Sequence, residues 1–119
     1  DVIIRGGENI PVVEVEGLLY QHPAVLEAAI VAMPDERLGE RACAFVRLRE
    51  GATLAFDEMT SFLREKGLAR NYWPERLEVQ AGLPKTPSGK IQKNELRALA
   101  RNLVAPAASS PAQDGDVQT

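Results

Sequence analysis

The sequence has one cysteine, one histidine, one tryptophan and no surplus of positive charge, and each scarcity removes a class of function. A lone Cys43 rules out an internal disulfide and any cysteine-rich zinc site. Its place in an apolar run is that of a small buried hydrophobe in a reducing cytosol. His22, just ahead of Pro23, is assigned no chemistry, and no metal ligands are expected on the chain. The net charge of -3 argues against a general binder of nucleic acid or anionic membrane, which would cluster basic residues on one face. No apolar run is long enough to span a bilayer, and no charged start precedes an apolar signal core. A cytoplasmic location is therefore expected. The opening Asp1-Val2-Ile3-Ile4 lacks an initiator methionine and enters strand-like sequence at once, so the chain reads as a piece of something longer.

What is present suits one compact domain. Hydrophobic residues make up 45% of the 119 and charged residues 26%, ordinary values for a globular chain of this size. Val2, Ile3 and Ile4 lead into Arg5-Gly6-Gly7-Glu8-Asn9-Ile10, where paired glycines permit a tight hairpin. Pro11 suits the first turn of a helix carrying Val12, Val15, Leu18 and Leu19 inward and Glu14 and Glu16 toward solvent, ended by His22-Pro23. An apolar run from Ala24 to Ala32, broken only by Glu27, reads as a strand covered on both faces and is punctuated by Met33-Pro34-Asp35. A polar loop over residues 35–40 leads to a second strand. Met59, Phe62 and Leu63 mark a helix over 56–66, with Gly67 at its C′ position. Arg76 to Val79 is a short strand candidate, and Leu96, Leu99 and Leu103 mark a last helix over about 94–104. The fold class is α+β: a small, mostly antiparallel sheet with central strands over about 25–33 and 41–49, an N-terminal β-hairpin and flanking helices. Residues 1–104 form the domain. Residues 105–119 combine Ala, Ser, Pro, Gln and Asp with almost no large apolar side chain and are expected to be a disordered tail.

The segment that carries chemistry is Leu83-Pro84-Lys85-Thr86-Pro87-Ser88-Gly89-Lys90. Two prolines stiffen a loop whose small, permissive end, Ser88-Gly89, leaves the Lys90 ammonium unobstructed. It is not a nucleotide P-loop, which needs a glycine where Lys85 stands and a hydroxyl residue where Ile91 stands. The segment resembles instead the final motif of the adenylate-forming superfamily, whose acyl-CoA synthetases close with a Pro-Lys-Thr-x-Ser-Gly-Lys loop and a basic helix, here Ile91-Gln92-Lys93-Asn94-Glu95-Leu96-Arg97. The start of the chain, with Val13-Glu14-Val15-Glu16 after the glycine hairpin, is similar to the hairpin and helix that open that family's C-terminal lid domain. Pro34-Asp35-Glu36-Arg37-Leu38-Gly39-Glu40 is similar to its loop between the two central strands. The three matches fall in the family's order across residues 1–104.

The resemblance implies an AMP-forming ligase that joins a carboxylic acid to CoA. The carboxylate attacks the α-phosphate of ATP and releases pyrophosphate; the CoA thiol then displaces AMP, and the lid changes orientation between the steps. Lys90, which alone would read as a solvated lysine near a helix start, falls at the position of the catalytic lysine that meets the carboxylate and α-phosphate. Lys85 is a candidate for attracting phosphate or for solvating its loop. Gly6 and Gly7 fall where pantetheine passes close to backbone, though a plain hairpin needs the same glycines. Glu8, Asn9, Leu38 and Gly39 are further candidates for nucleotide or CoA contact. Tyr72-Trp73-Pro74-Glu75-Arg76 departs from the family's commoner wording, in which basic residues surround the proline, and looks similar to ligases of medium-chain or cyclohexane carboxylates. Trp73 can stack on the adenine of CoA with Arg70 or Arg76 supplying charge, or it can anchor the core or an interdomain face; Glu75 is a poor phosphate neighbour.

ATP with Mg, and CoA, would be bound mainly by an N-terminal domain absent from this chain, together with the hinge residue and a ribose-contacting arginine. That domain and the acid substrate are the implied partners, and the chain alone is expected to be inert. A lysine acetyltransferase is a further implied partner, since acetylation would remove the Lys90 charge. Two other classes remain open: an adenylation domain that loads a carrier-protein thiol, and a non-enzymatic α+β binding module. The Ser88-Gly89-Lys90-Ile91-Gln92-Lys93 wording favours the CoA ligase over the first. The module does not explain three motifs in this order.

Overall fold

The paired glycines close the first element of the computed structural model, which describes residues 2–103. Strands β1 (Ile3–Arg5) and β2 (Glu8–Ile10) pair antiparallel with Arg5 opposite Glu8, so Gly6 and Gly7 form a two-residue loop. Their φ angles of 58° and 84° are those of a type I′ turn, whose twist matches that of the flanking strands. Helix α1 (Val12–Tyr20) follows with Pro11 as its N-cap rather than inside its first turn. Val12, Val15 and Leu19 are buried and Glu14 is exposed. Glu16, expected in solvent, is turned inward: its carboxylate accepts the Ile30 backbone N–H at 2.8 Å.

The central strands are β3 (Val25–Asp35) and β4 (Gly39–Leu48), an antiparallel pair in register from Glu27 opposite Arg47 to Asp35 opposite Gly39. They extend further toward each other than the sequence suggested, and the expected 35–40 loop narrows to residues 36–38. Met33-Pro34-Asp35 does not end the strand, because β3 lies at the edge of the sheet, where the N–H missing from Pro34 is not needed by a neighbour. The strand order is β2-β1-β4-β3, and β5 (Arg76–Val79) runs parallel to β4 over Cys43–Val46. β4 thus has β3 along one edge, with β1 and β5 in succession along the other.

Both faces of the central pair are covered, as the apolar run demanded. Ala28 and Ile30 of β3, with Ala42, Ala44 and Val46 of β4, pack under α1 and under α2 (Phe56–Glu65), which contributes Met59 and Leu63. Ala29, Val31, Met33, Cys43 and Phe45 pack under α3 (Lys93–Leu103) through Leu96 and Ala100. Leu99 and Leu103 do not share that buried stripe; they are 42% and 39% exposed, because the face i, i+4 from Leu96 is met by Ala100 instead. α2 ends in a Schellman motif: the Leu68 N–H donates to the Leu63 carbonyl and the Gly67 N–H to that of Arg64, with Gly67 at φ 86°. A 3-10 turn, Arg70–Tyr72, leads into β5. No helix among the described residues is long and apolar enough to cross a membrane. The expected tail at 105–119, and the end of α3 at Val104, lie outside the described residues.

Candidate functional site

Lys90 sits on a loop built to hold its backbone and release its side chain. Lys85 and Ile91 form an antiparallel bridge at the base of the loop. Above it the Thr86 N–H donates to the Lys90 carbonyl at 2.7 Å, the Lys90 N–H donates to Thr86 Oγ1 at 3.1 Å, and the Gly89 N–H donates to the Thr86 carbonyl at 2.9 Å. Thr86 Oγ1 also lies 2.9 Å from Ser88 Oγ. The motif's threonine therefore fixes both backbone groups of Lys90. Gly89 makes the turn at φ 92°, where an L side chain would be strained. Lys90 itself is exposed. The Lys85 ammonium is engaged elsewhere, in an ion pair with Glu27 on β3.

The other sequence candidates gather at the opposite end of the central strands. Gly6 donates its N–H to the Leu38 carbonyl at 2.9 Å, and a Cβ added at Gly6 would lie 3.7 Å from Leu38 Cδ2. Gly39 pairs with Arg5 at φ 87°. Glu8 reaches across to the 3-10 turn, where Asn71 Nδ2 donates to its Oε1 at 2.8 Å and the Tyr72 hydroxyl donates to its Oε2 at 3.4 Å. Asn9, opposite Ile4 in the hairpin, is exposed. Trp73 is half-buried, packed against the α1/α2 side of the core, with its indole N–H donating to the Leu68 carbonyl at 2.9 Å. The Arg70 guanidinium lies 6.0 Å from the centre of its ring.

Trp73 and Arg70 line a cleft of about 840 Å³ together with Arg5, Arg41, Phe56 and Thr60. Arg76 is not among its walls; it bonds Glu78 at 2.6 Å. Glu75, which looked out of place beside phosphate, has a structural task. It ion-pairs with Arg5, and its second oxygen accepts the Ala42 N–H at 2.9 Å, tying the glycine hairpin to β4. Arg5 and Arg41 were missed as cleft residues. The signal for Arg5 was its place beside the glycines, but its partner stands 70 positions away and no local pattern joins them.

The two groups are thus separated. Lys85 anchors the lysine loop at Glu27, near the start of β3, and the glycine hairpin meets the sheet at Gly39, opposite Asp35 at the strand's end. At about 3.3 Å per residue, the strand between Glu27 and Asp35 spans roughly 26 Å.

The AMP-binding enzyme C-terminal domain family model matches residues 14–90 of this sequence. The chain belongs to that family. The matched span of this AMP-binding C-terminal domain ends on Lys90, and the glycine hairpin precedes it. Over 98 residues the chain is 50% identical to a medium-chain fatty-acid–CoA ligase of Escherichia coli (strain K12), an alignment covering 82% of this chain and 17% of the relative. It is 47% identical over 106 residues to a 2,3-dihydroxybenzoate–AMP ligase of Bacillus subtilis (strain 168), covering 88% and 20%. Among solved structures, a Brucella canis acyl-CoA synthetase superposes with a TM-score of 0.77 at 40% identity, covering 84% of this chain and 19% of that one. The AMP-binding C-terminal domain therefore spans about a fifth of the length of the curated relatives it matches.

Proposed function

We propose that this domain is the mobile lid of an ATP-dependent carboxylate–CoA ligase, presenting Lys90 for acyl-adenylate formation and the glycine hairpin for thioester formation. The observation that carries the reading is the placement of the two groups at opposite ends of β3 and β4. A rigid domain with two working ends can serve two steps only by turning between them against the rest of the enzyme. That is the motion the family resemblance implies.

In the first step the substrate carboxylate attacks the α-phosphate of ATP and pyrophosphate leaves. Two anionic groups must approach, and charge builds on the phosphoryl oxygens. Lys90, a compact cation on a stiff loop, offsets that charge without reorganising the loop. In the second step the CoA sulfur attacks the acyl carbonyl and AMP departs. Gly6 and Gly7 offer pantetheine a backbone surface free of side chains, flanked by Leu38 and Gly39. The cleft under Trp73 suits the nucleotide end of CoA: an aromatic face for adenine and Arg70 and Arg41 for phosphate. Glu8 joins the hairpin to the cleft wall through Asn71, and Asn9 follows it on β2, so both are candidates for nucleotide or CoA contact. Magnesium would travel with ATP on the N-terminal part of the enzyme; no group of three His, Cys, Asp or Glu among the described residues is placed to hold a metal ion.

The exposed Lys90 is open to an acetyltransferase, and acetylation would abolish the cation that adenylation uses. The test of the main reading is Lys90→Ala in the full-length enzyme. Carboxylate-dependent pyrophosphate release should fall by about 10²- to 10³-fold. Thioester formation from supplied acyl-adenylate should be largely spared. Unchanged pyrophosphate release would overturn the assignment. The similarity to a ligase whose name carries AMP and not CoA supports a second reading, transfer to a carrier-protein thiol. CoA-dependent release of AMP by the full-length enzyme separates the two.

A further inference from the structure

Glu27 is the single charge in the apolar run that becomes β3, and it lies where the register of β3 on β4 shifts between Val25 and Glu27. Such a bulge re-aims the side chain at the irregular position. Here the Glu27 carboxylate is 18% exposed, ion-paired with Lys85 through Oε2, and has Arg47 Nη1 3.7 Å from Oε1. Oε1 itself is buried and, with Arg47 beyond hydrogen-bonding range, accepts no hydrogen bond. Keeping a carboxylate at such a place opposes folding unless a cation is held there. Two cations meet it: Arg47 from the neighbouring strand β4, and Lys85 from the base of the lysine loop, where Lys85 bridges to Ile91, the residue after Lys90.

A second carboxylate grips the far side of the same loop. Glu16 Oε2 lies 2.6 Å from Lys93 Nζ, at the start of α3, while it accepts the Ile30 N–H from the edge of β3. The loop that presents Lys90 is thereby held at both flanks by carboxylates remote in sequence: Glu27 of the edge strand on one side, and on the other Glu16 of α1, which is itself hydrogen-bonded to that strand.

We infer that Glu27 is a positioning residue for adenylation: through Lys85 it fixes the base of the lysine loop and so the reach of the Lys90 ammonium, while Lys85 itself binds no nucleotide. The inference rests on the lid reading above. Because a displacement of about 1 Å at a reacting group can cost on the order of 10²-fold, loosening this anchor should be felt in rate more than in binding.

The test uses the full-length enzyme and measures the two half-reactions separately in wild type, Lys90→Ala, Glu27→Gln, Lys85→Met and the Glu27→Gln/Lys85→Met double variant. Glu27→Gln should lower the kcat of adenylation by about 10- to 100-fold, with KM for ATP changed less than threefold and thioester formation from supplied acyl-adenylate at the wild-type rate. Lys85→Met should reproduce that pattern, and the double variant should be no slower than either single one. Lys85 carries a one-third-exposed side chain, so its replacement keeps the test open if Glu27→Gln folds poorly. Wild-type adenylation in both single variants, a proportional fall in both half-reactions, or an added loss in the double variant would overturn the inference. If Lys90→Ala adenylates normally, the lid reading fails instead, which separates the two failures.

Discussion

Cys43 shows how a residue without chemistry is made inert. It is fully buried on β4 under α3. Burial, helped by the nearby Glu78 carboxylate and opposed by Arg76, pushes its thiol up to about 12 from 9.0. The folded chain thus disfavours the thiolate that the unfolded chain forms more readily. Stability from this source is whole below pH 9 and is lost as the pH climbs from 9 toward 12. Cys43→Ala removes the effect at the cost of a small cavity. The stability gap between wild type and Cys43→Ala, measured by urea denaturation, should therefore narrow as the pH rises above 9; a gap independent of pH would contradict the assignment. At the glycine hairpin the constraint is conformational. A Cβ on Gly7 meets nothing within 4 Å, and one on Gly6 meets Leu38 only at ordinary contact distance, so it is positive φ that excludes branched side chains there.

At the scale of elements, the exposed edge of β3 is managed by a side chain from another element. An edge strand leaves backbone groups unpaired, and here the Ile30 N–H is satisfied by Glu16 of α1, which also holds Lys93 of α3. Three elements meet on one carboxylate. Glu16→Ala leaves the Ile30 N–H and the Lys93 ammonium without this acceptor, and should destabilise the domain by about 1–3 kcal/mol; thermal unfolding checks this, and an unchanged midpoint would dismiss the clasp. The same element shows what the sequence could and could not reveal. Continuous apolarity from Ala24 to Ala32 announced a strand covered on both sides, since each face needs its own apolar set. Met59 and Leu63 announced α2 by spacing, and Gly67 its end. These are local signals. The passage of β3 through Pro34 was not legible, because whether a strand lies at an edge depends on its neighbours. Nor was the parallel alignment of β5 on β4, or the inward turn of Glu16. Each depends on a partner that periodicity does not identify. Leu99 and Leu103 misled for a related reason: their size suggested the buried stripe, but the face of α3 that packs on β3 carries Leu96 and Ala100.

At the scale of the described domain, the lysine loop and the glycine hairpin meet the central strands toward different ends. Apolar layers cover both faces of β3 and β4, and an ion pair ties each group to its surroundings: Lys85 to Glu27 at one end, Arg5 to Glu75 at the other. The motifs themselves were legible because turn chemistry is local: Gly6-Gly7 and Ser88-Gly89-Lys90 carry their geometry in their residue types. Their separation was not, since it follows from the direction and length of β3. The measurement that bears most directly on the two-ended design compares Lys90→Ala and Gly6→Val in the full-length enzyme, with single-turnover rates for adenylation and for thioester formation from supplied acyl-adenylate. The expected result is a crossed pattern, in which Lys90→Ala slows only the first step and Gly6→Val chiefly the second. Loss of the same step in both variants, or of neither step in either, would contradict it.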